Sequence, residues 1–385
     1  MNSAPNPSRF LPRPLRRHAP SLALACIAAL NAACTGSGGD AARHTSLPST
    51  IVVKEFPIPG GVTEGTGSGP DGITAGPDRN IWFAEGYANK VASLSRTGRF
   101  TEYAMGRETY PQRIVVGPDG RLWFAEYNGN KVGTITTHGI FAEYAMPGQH
   151  LNAYSIGAVG IAAGPDGNVW FTELLRNKVG SITRSGKIVE YTVPTANSSP
   201  YAITAGPDGN LWFTEQSAGK IATITPAGKI TEYAVPYDTS WPSDITLGPD
   251  GRLWFTDGNQ SLIGAITTSG SITTYAIPPP QVAYEITKGR DGNLWFTTFT
   301  TYNDHKIGVI ATDGTAAEFE FPASKTQATW GIAAGSDGNL WFTQDYAIGE
   351  VVLHEPSRVG VGQTASRLAA SPAVQMDKGH PADGR

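Results

Sequence analysis

Gly206-Pro207-Asp208-Gly209-Asn210-Leu211-Trp212-Phe213-Thr214-Glu215 decides the fold, because it is one of seven copies of a single phrase. Its Trp recurs at positions 82, 123, 170, 212, 254, 295 and 341, each time followed by Phe, at intervals of 41, 47, 42, 42, 41 and 46 residues. Self-similarity at this period marks a repeat architecture. Within the phrase, Pro207 presets φ, Asp208 can bond the backbone ahead of it and Gly209 accepts a positive φ, so Gly-Pro-Asp-Gly predicts a tight turn. The Asn-Leu-Trp-Phe-Thr-Glu run that follows is rich in β-formers and reads as a strand. Adjacent strand residues face opposite ways, so Trp212 and Phe213 require apolar cover on both faces of one sheet. A like sheet on either side supplies it.

Four strands can be laid out in each repeat; in the fourth they span residues 202–205, 210–215, 220–225 and 229–235. The prediction is an all-β chain folded as a seven-bladed β-propeller of four-stranded blades. Residues 51–59 read like the closing strand of a repeat without its beginning, as in residues 230–236, and the seventh repeat ends near Val352 without such a strand. Residues 51–57 are therefore expected to complete the last blade and close the ring, removing a free sheet edge. A solenoid would instead end in caps.

The chain divides into a signal segment at residues 1–33, a flexible linker at 34–50, the propeller at 51–357 and a tail at 358–385 expected to be disordered. Arg9, Arg13, Arg16 and Arg17 precede an apolar run at residues 21–33, short for a bilayer span and the right size for a signal core. The run ends Leu30-Asn31-Ala32-Ala33-Cys34, which resembles a bacterial lipoprotein signal with Cys34 as the lipidated residue. The expected location is outside the cytoplasm, in a bacterial cell envelope, lipid-anchored or released to the periplasm or medium, with membrane contact only through the anchor. Both cysteines, Cys26 and Cys34, fall in this region, so the propeller has no disulfide to form. Loss of residues 1–33 would move the formal charge from −4 to −8, and a mildly acidic chain without a basic patch argues against nucleic-acid binding. A monomer is expected.

In a propeller, the residues before each innermost strand and after each Trp-Phe-Thr-Glu converge at the top mouth, the default ligand site. Two residues before the innermost-strand Ile (or its equivalent) stand Asp71, Gln112, Val159, Tyr201, Ser243, Tyr284 and Trp330, and one before it Gly72, Arg113, Gly160, Ala202, Asp244, Glu285 and Gly331. The recurring strand-end Glu reads as scaffold, accepting loop hydrogen bonds or pairing with a loop Lys. Residues that break the repeat are the better candidates: Arg113, Tyr201, Asp244, Tyr284, Glu285 and Trp330 for a small-molecule or peptide ligand. His150 and His305 lie in the loops that lengthen two repeats, and they are the candidate general bases.

The phrase, followed by Gly-Lys-Ile/Val-type and Gly-x-Ile-x-Glu-Tyr-x-x-Pro segments, closely resembles the virginiamycin B lyase (streptogramin lyase) family over about residues 51–355. The resemblance implies elimination that opens the lactone of cyclic depsipeptide antibiotics, with Mg2+ and a catalytic His. A base would remove the α-proton while the cation steadies the developing enolate. By position, the family's catalytic His falls on Trp330, a metal-binding Glu on Ala328, a second metal carboxylate on Asp345 and a substrate-binding His on Tyr284. Trp cannot act as a base and Ala cannot ligate a metal. The expected function is a binding or divergent family member with a top-face ligand site. The alternative is an active carbon–oxygen lyase or lactone-opening enzyme, metal-assisted through Asp345 or Glu285, with His150 or His305 as base.

Overall fold

The computed structural model describes residues 47–59, 69–107, 109–148, 157–277, 282–299, 306–320 and 328–353, and the backbone of 363–364 and 366–368. Cys34, His150 and His305 lie outside the described residues, as do the signal segment and most of the linker. The described residues form seven antiparallel sheets. In the fourth, Pro200–Ala205, Leu211–Glu215, Lys220–Ile224 and Ile230–Ala234 follow one another from the inside out. Each innermost strand packs beside the next, and the seventh returns to the first, so the ring is closed.

The turn forms as its residues dictate, and Asp208 does more there than the sequence suggested. Its carboxylate accepts the Asn210 backbone N–H at 3.2 Å and also the Trp212 indole N–H at 3.1 Å, while Gly209 takes φ 77°. The same aspartate-to-indole bond recurs from Asp78–Trp82 through Asp337–Trp341. The indole N–H is thereby satisfied, which lets the whole ring be buried. Trp212 and Phe213 are both fully inaccessible. Each such ring removed from water is worth roughly 4–6 kcal/mol as an upper bound, before conformational entropy is set against it.

Trp212 stacks on Tyr233 of its own blade at 5.7 Å and 14°, and the turn of the following blade rests on that tyrosine. A Cβ at Gly270, which has φ 91°, would lie 2.2 Å from the Tyr233 ring, so only glycine fits.

Closure is as expected: Thr50–Pro57 is the outer strand of the last blade, antiparallel to Ala347–Val352, with Val52 opposite Val352 and Pro57 opposite Ala347. Gln363–Thr364 pairs with Thr50 and Ile51, and Ser366–Leu368 pairs with residues 316–318, extending the last two sheets to five strands. An outer strand presents unpaired N–H and C=O groups, and main chain of almost any sequence can satisfy them.

Candidate functional site

The threonine of the repeated phrase positions the mouth. Thr256 Oγ1 accepts the Asp244 N–H at 2.9 Å and donates to the Tyr284 carbonyl of the next blade at 2.8 Å. Thr297 does the same between Glu285 and Trp330, Thr343 between Gly331 and Asp71, and Thr172 between Gly160 and Tyr201. Each bridge pins the start of one innermost strand to its neighbour. The backbone of Asp71, Tyr201, Tyr284 and Trp330 is thus held from the preceding blade. Ala84 and Ala125 stand at this position in the first two repeats and cannot form the bridge.

Arg113 crosses the channel from the second blade to the fifth and sixth, with Nη1 3.0 Å from Asp244 and Nη2 3.0 Å from Glu285. Each acid also ties its blade to the next: Asp244 accepts the Ile286 N–H at 2.9 Å, and Glu285 accepts the Ile332 N–H at 3.1 Å. Burial opposes the Arg113 charge, but the Glu285 and Asp244 carboxylates outweigh it and hold the guanidinium charged well above its usual range. Burial pushes Glu285 up, against the pull of Arg113 and helped by Asp244 and Asp71. These three residues, read from sequence as ligand contacts, are engaged with one another and form the floor of the mouth.

Above them the aromatic candidates meet. The Tyr201 and Tyr284 hydroxyls are 3.2 Å apart, and the Arg113 guanidinium lies 5.7 Å over the Tyr201 ring. Tyr284 and Trp330 pack edge to face at 5.6 Å. The Trp330 indole donates to Asp345 Oδ1 at 2.9 Å, and the Ala328 N–H donates to Oδ2 at 3.0 Å. All four side chains are half-buried.

Asp71, Tyr110 and Tyr127 lie near these residues and were not selected as candidates by sequence reasoning. Asp71 occupies the same repeat position as Tyr201, Tyr284 and Trp330, and burial raises its carboxyl against the pull of Arg113. Tyr110 bridges Tyr87 at 5.3 Å and Tyr127 at 5.7 Å. Asn89 accepts its N–H at 3.0 Å, and its φ is 46°, a left-handed geometry that is costly for a tyrosine. The available signal was positional: Tyr127 follows its strand-end Glu as Asp345 follows Gln344.

The repeated carboxylates sit inside the blades. Glu85, Glu126, Glu173 and Glu215 are fully buried. The lysines opposite them pair instead with outer-strand glutamates, Lys90 with Glu102 at 2.6 Å and Lys220 with Glu232 at 2.9 Å. Burial pushes Glu126 and Glu215 up to about 8 and Glu173 to about 7. Asp257, one methylene shorter, does meet the expected loop donors, the N–H groups of Trp241, Asn259 and Gln260 and the Ser240 hydroxyl.

The family model described as virginiamycin B lyase family matches residues 52–299. The chain belongs to the virginiamycin B lyase family. It is 36% identical to a solved streptogramin B lyase, with 79% of this chain and 98% of that one covered and a TM-score of 0.72. A catalytically inactive virginiamycin B lyase from Staphylococcus aureus, solved with quinupristin, is likewise 36% identical, covering 79% of this chain and all of that one at a TM-score of 0.71. No curated protein matches this chain.

The Mg2+ implied by membership of the virginiamycin B lyase family does not fit the residues present. Asp345 has both oxygens engaged by N–H donors, Ala328 offers no side-chain ligand, and Trp330 fills the neighbouring position. Among the described residues no group of three or more His, Cys, Asp or Glu side chains could hold a metal.

Proposed function

We propose that this member of the virginiamycin B lyase family is a ligand-binding propeller that does not open a lactone, and that it captures its ligand at the top-face mouth. The observation that carries this reading is the Trp330–Asp345 hydrogen bond of 2.9 Å. It puts an indole where the family's base would stand and uses the carboxylate that would remain for the metal. An indole N–H donates only and has no lone pair with which to take an α-proton. The alternative, metal-assisted enzyme needs Asp345 or Glu285 as a ligand, and both are committed to internal partners.

The ligand would lie over the Tyr201, Tyr284 and Trp330 rings. Tyr and Trp suit this role because they supply large rigid surface with a polar handle. Export is part of the proposal: the basic and apolar leader at residues 1–33 would be removed and Cys34 would carry the lipid. The propeller would then act as a monomer at the envelope surface. Incorporation of labelled fatty acid that disappears in Cys34→Ala is the expected result, and equal labelling of the variant would count against the anchor.

The functional test uses quinupristin with magnesium. Calorimetry should detect binding that Trp330→Ala abolishes without loss of the folded signal, and mass-resolved chromatography should show no ring-opened isomer. Turnover to such an isomer would overturn the non-catalytic reading. Unchanged binding by Trp330→Ala would remove the mouth as the site.

A further inference from the structure

The outer strand of the sixth blade departs from the other five in this position. In those blades the strand opens with Phe or Ile, as at Ile230 opposite Ile224, and in the sixth it opens with Ala316 opposite Ile310. The next residue is exposed or half-buried in blades one to five, with Val189 at 39%, whereas Ala317 is fully inaccessible. Two residues further on, the half-buried tyrosine that Tyr233 represents is replaced by Phe319, also fully inaccessible. A rim tyrosine can leave its hydroxyl in water, and a ring that is wholly covered does better without one. Two alanines in succession let another chain lie close against the strand.

What lies there is main chain. Ser366–Leu368 runs antiparallel to Ala316–Glu318, with Arg367 opposite Ala317. Gln363–Thr364 runs antiparallel to the start of Thr50–Pro57, with Thr364 opposite Thr50. Only residue 365 separates the two pairings, so one short stretch passes from the rim of the seventh blade to the rim of the sixth. The two rims meet in one apolar cluster that holds Ile51, Ala317 and Phe319. Among the described residues, the outer strands of the other five blades pair on one edge only.

The seam matters because Thr50–Pro57 is held differently from every other outer strand. Its partner Ala347–Val352 comes from the far end of the chain, so no hairpin turn ties it to the blade it completes. A strand held by one ladder can leave by fraying, and a second ladder on its free edge opposes that. We propose that residues 363–368 are a strap that locks the seam of the propeller, pinning the closing strand from its outer side and tying it to the sixth blade. The strap adds a strand to an open edge, so main-chain bonds supply the hold, and Ala316, Ala317 and Phe319 shape the rim that receives it.

Hydrogen exchange on the full chain, resolved amide by amide, tests this. In the wild type the fastest amide of residues 316–318 should exchange at least about tenfold more slowly than the fastest of residues 230–232, the same positions on an unstrapped rim. Replacing residues 363–368 by Gly-Pro repeats of equal length removes the alternate N–H donors that a ladder needs. That variant should lose the protection at 316–318, exchange faster at residues 53–56, which the strap does not touch, and leave 230–232 unchanged. Equal rates at the two rims in the wild type would overturn the strap without recourse to any variant. Protection lost at 316–318 with 53–56 unaltered would overturn the lock on the closing strand.

Discussion

Trp330 Nε1 donates to Asp345 Oδ1 at 2.9 Å, and the main chain at Ala328 takes the other oxygen at 3.0 Å. Each Asp345 oxygen already accepts an N–H, and the neighbouring Ala328 and Trp330 side chains add no metal ligand. Magnesium at millimolar concentration should therefore leave the wild-type melting temperature unchanged. The double variant Ala328→Glu, Trp330→His releases one Asp345 oxygen and adds two ligands, so it should gain a magnesium-dependent rise. A rise in the wild type would refute the substitution of indole for metal.

Arg113 is the cation on which the channel floor depends. Arg113→Met would leave Asp244 and Glu285, 7% and 5% exposed, without their countercharge. Breaking one side of a buried ion pair costs roughly 3–5 kcal/mol. Urea denaturation should show a loss of that order, smaller at acid pH, where the carboxyls are neutral. A loss under about 1 kcal/mol would mean that water or another group takes the place of Arg113.

The buried strand-end carboxyls set a pH dependence of known sign. Glu126 and Glu215 are raised from 4.5 to about 8 and Glu173 to about 7, so the folded protein keeps protons that the unfolded chain releases. Their contribution to stability is fully present below about pH 4.5 and is lost as pH rises through 7 to 8. Melting temperature should fall across that window. Glu126→Gln, which cannot ionise, should flatten the slope and be the more stable protein at pH 9. An identical slope would show that Glu126 titrates normally.

Removal of residues 50–57 takes the outer strand from the last blade, uncovers the edge of Ala347–Val352 and deletes the buried Ile51. The expected result is a fall in melting temperature of roughly 10 °C or more, with a tendency to associate through the open edge. Scanning calorimetry and light scattering check both. An unchanged transition would mean that the ring closes without strands from both chain ends.

The blades were legible in the sequence because each depends on contacts within a few residues of the Trp-Phe pair. Asp208 reaches Trp212 four residues on, and alternation along one strand sends Trp212 and Phe213 to opposite neighbours, so a local pattern repeated seven times specifies sheets, period and closure. The rings of positions around the mouth followed from the same period. Arg113, Tyr201, Asp244, Tyr284, Glu285 and Trp330 were found in this way, as the places where the pattern breaks.

Which partners those side chains meet was decided only by the tertiary structure. Arg113 and Asp244 are 131 residues apart and meet at 3.0 Å, and no local propensity encodes that distance across a channel. Whether a carboxylate binds a ligand or serves as internal countercharge depends on which donors the fold brings to it. Asp345, read as a metal ligand, meets the Trp330 indole and the Ala328 N–H in this way. Repetition is a property of the chain and can be counted along it. The pairing of charges and donors across the ring exists only once the ring has closed.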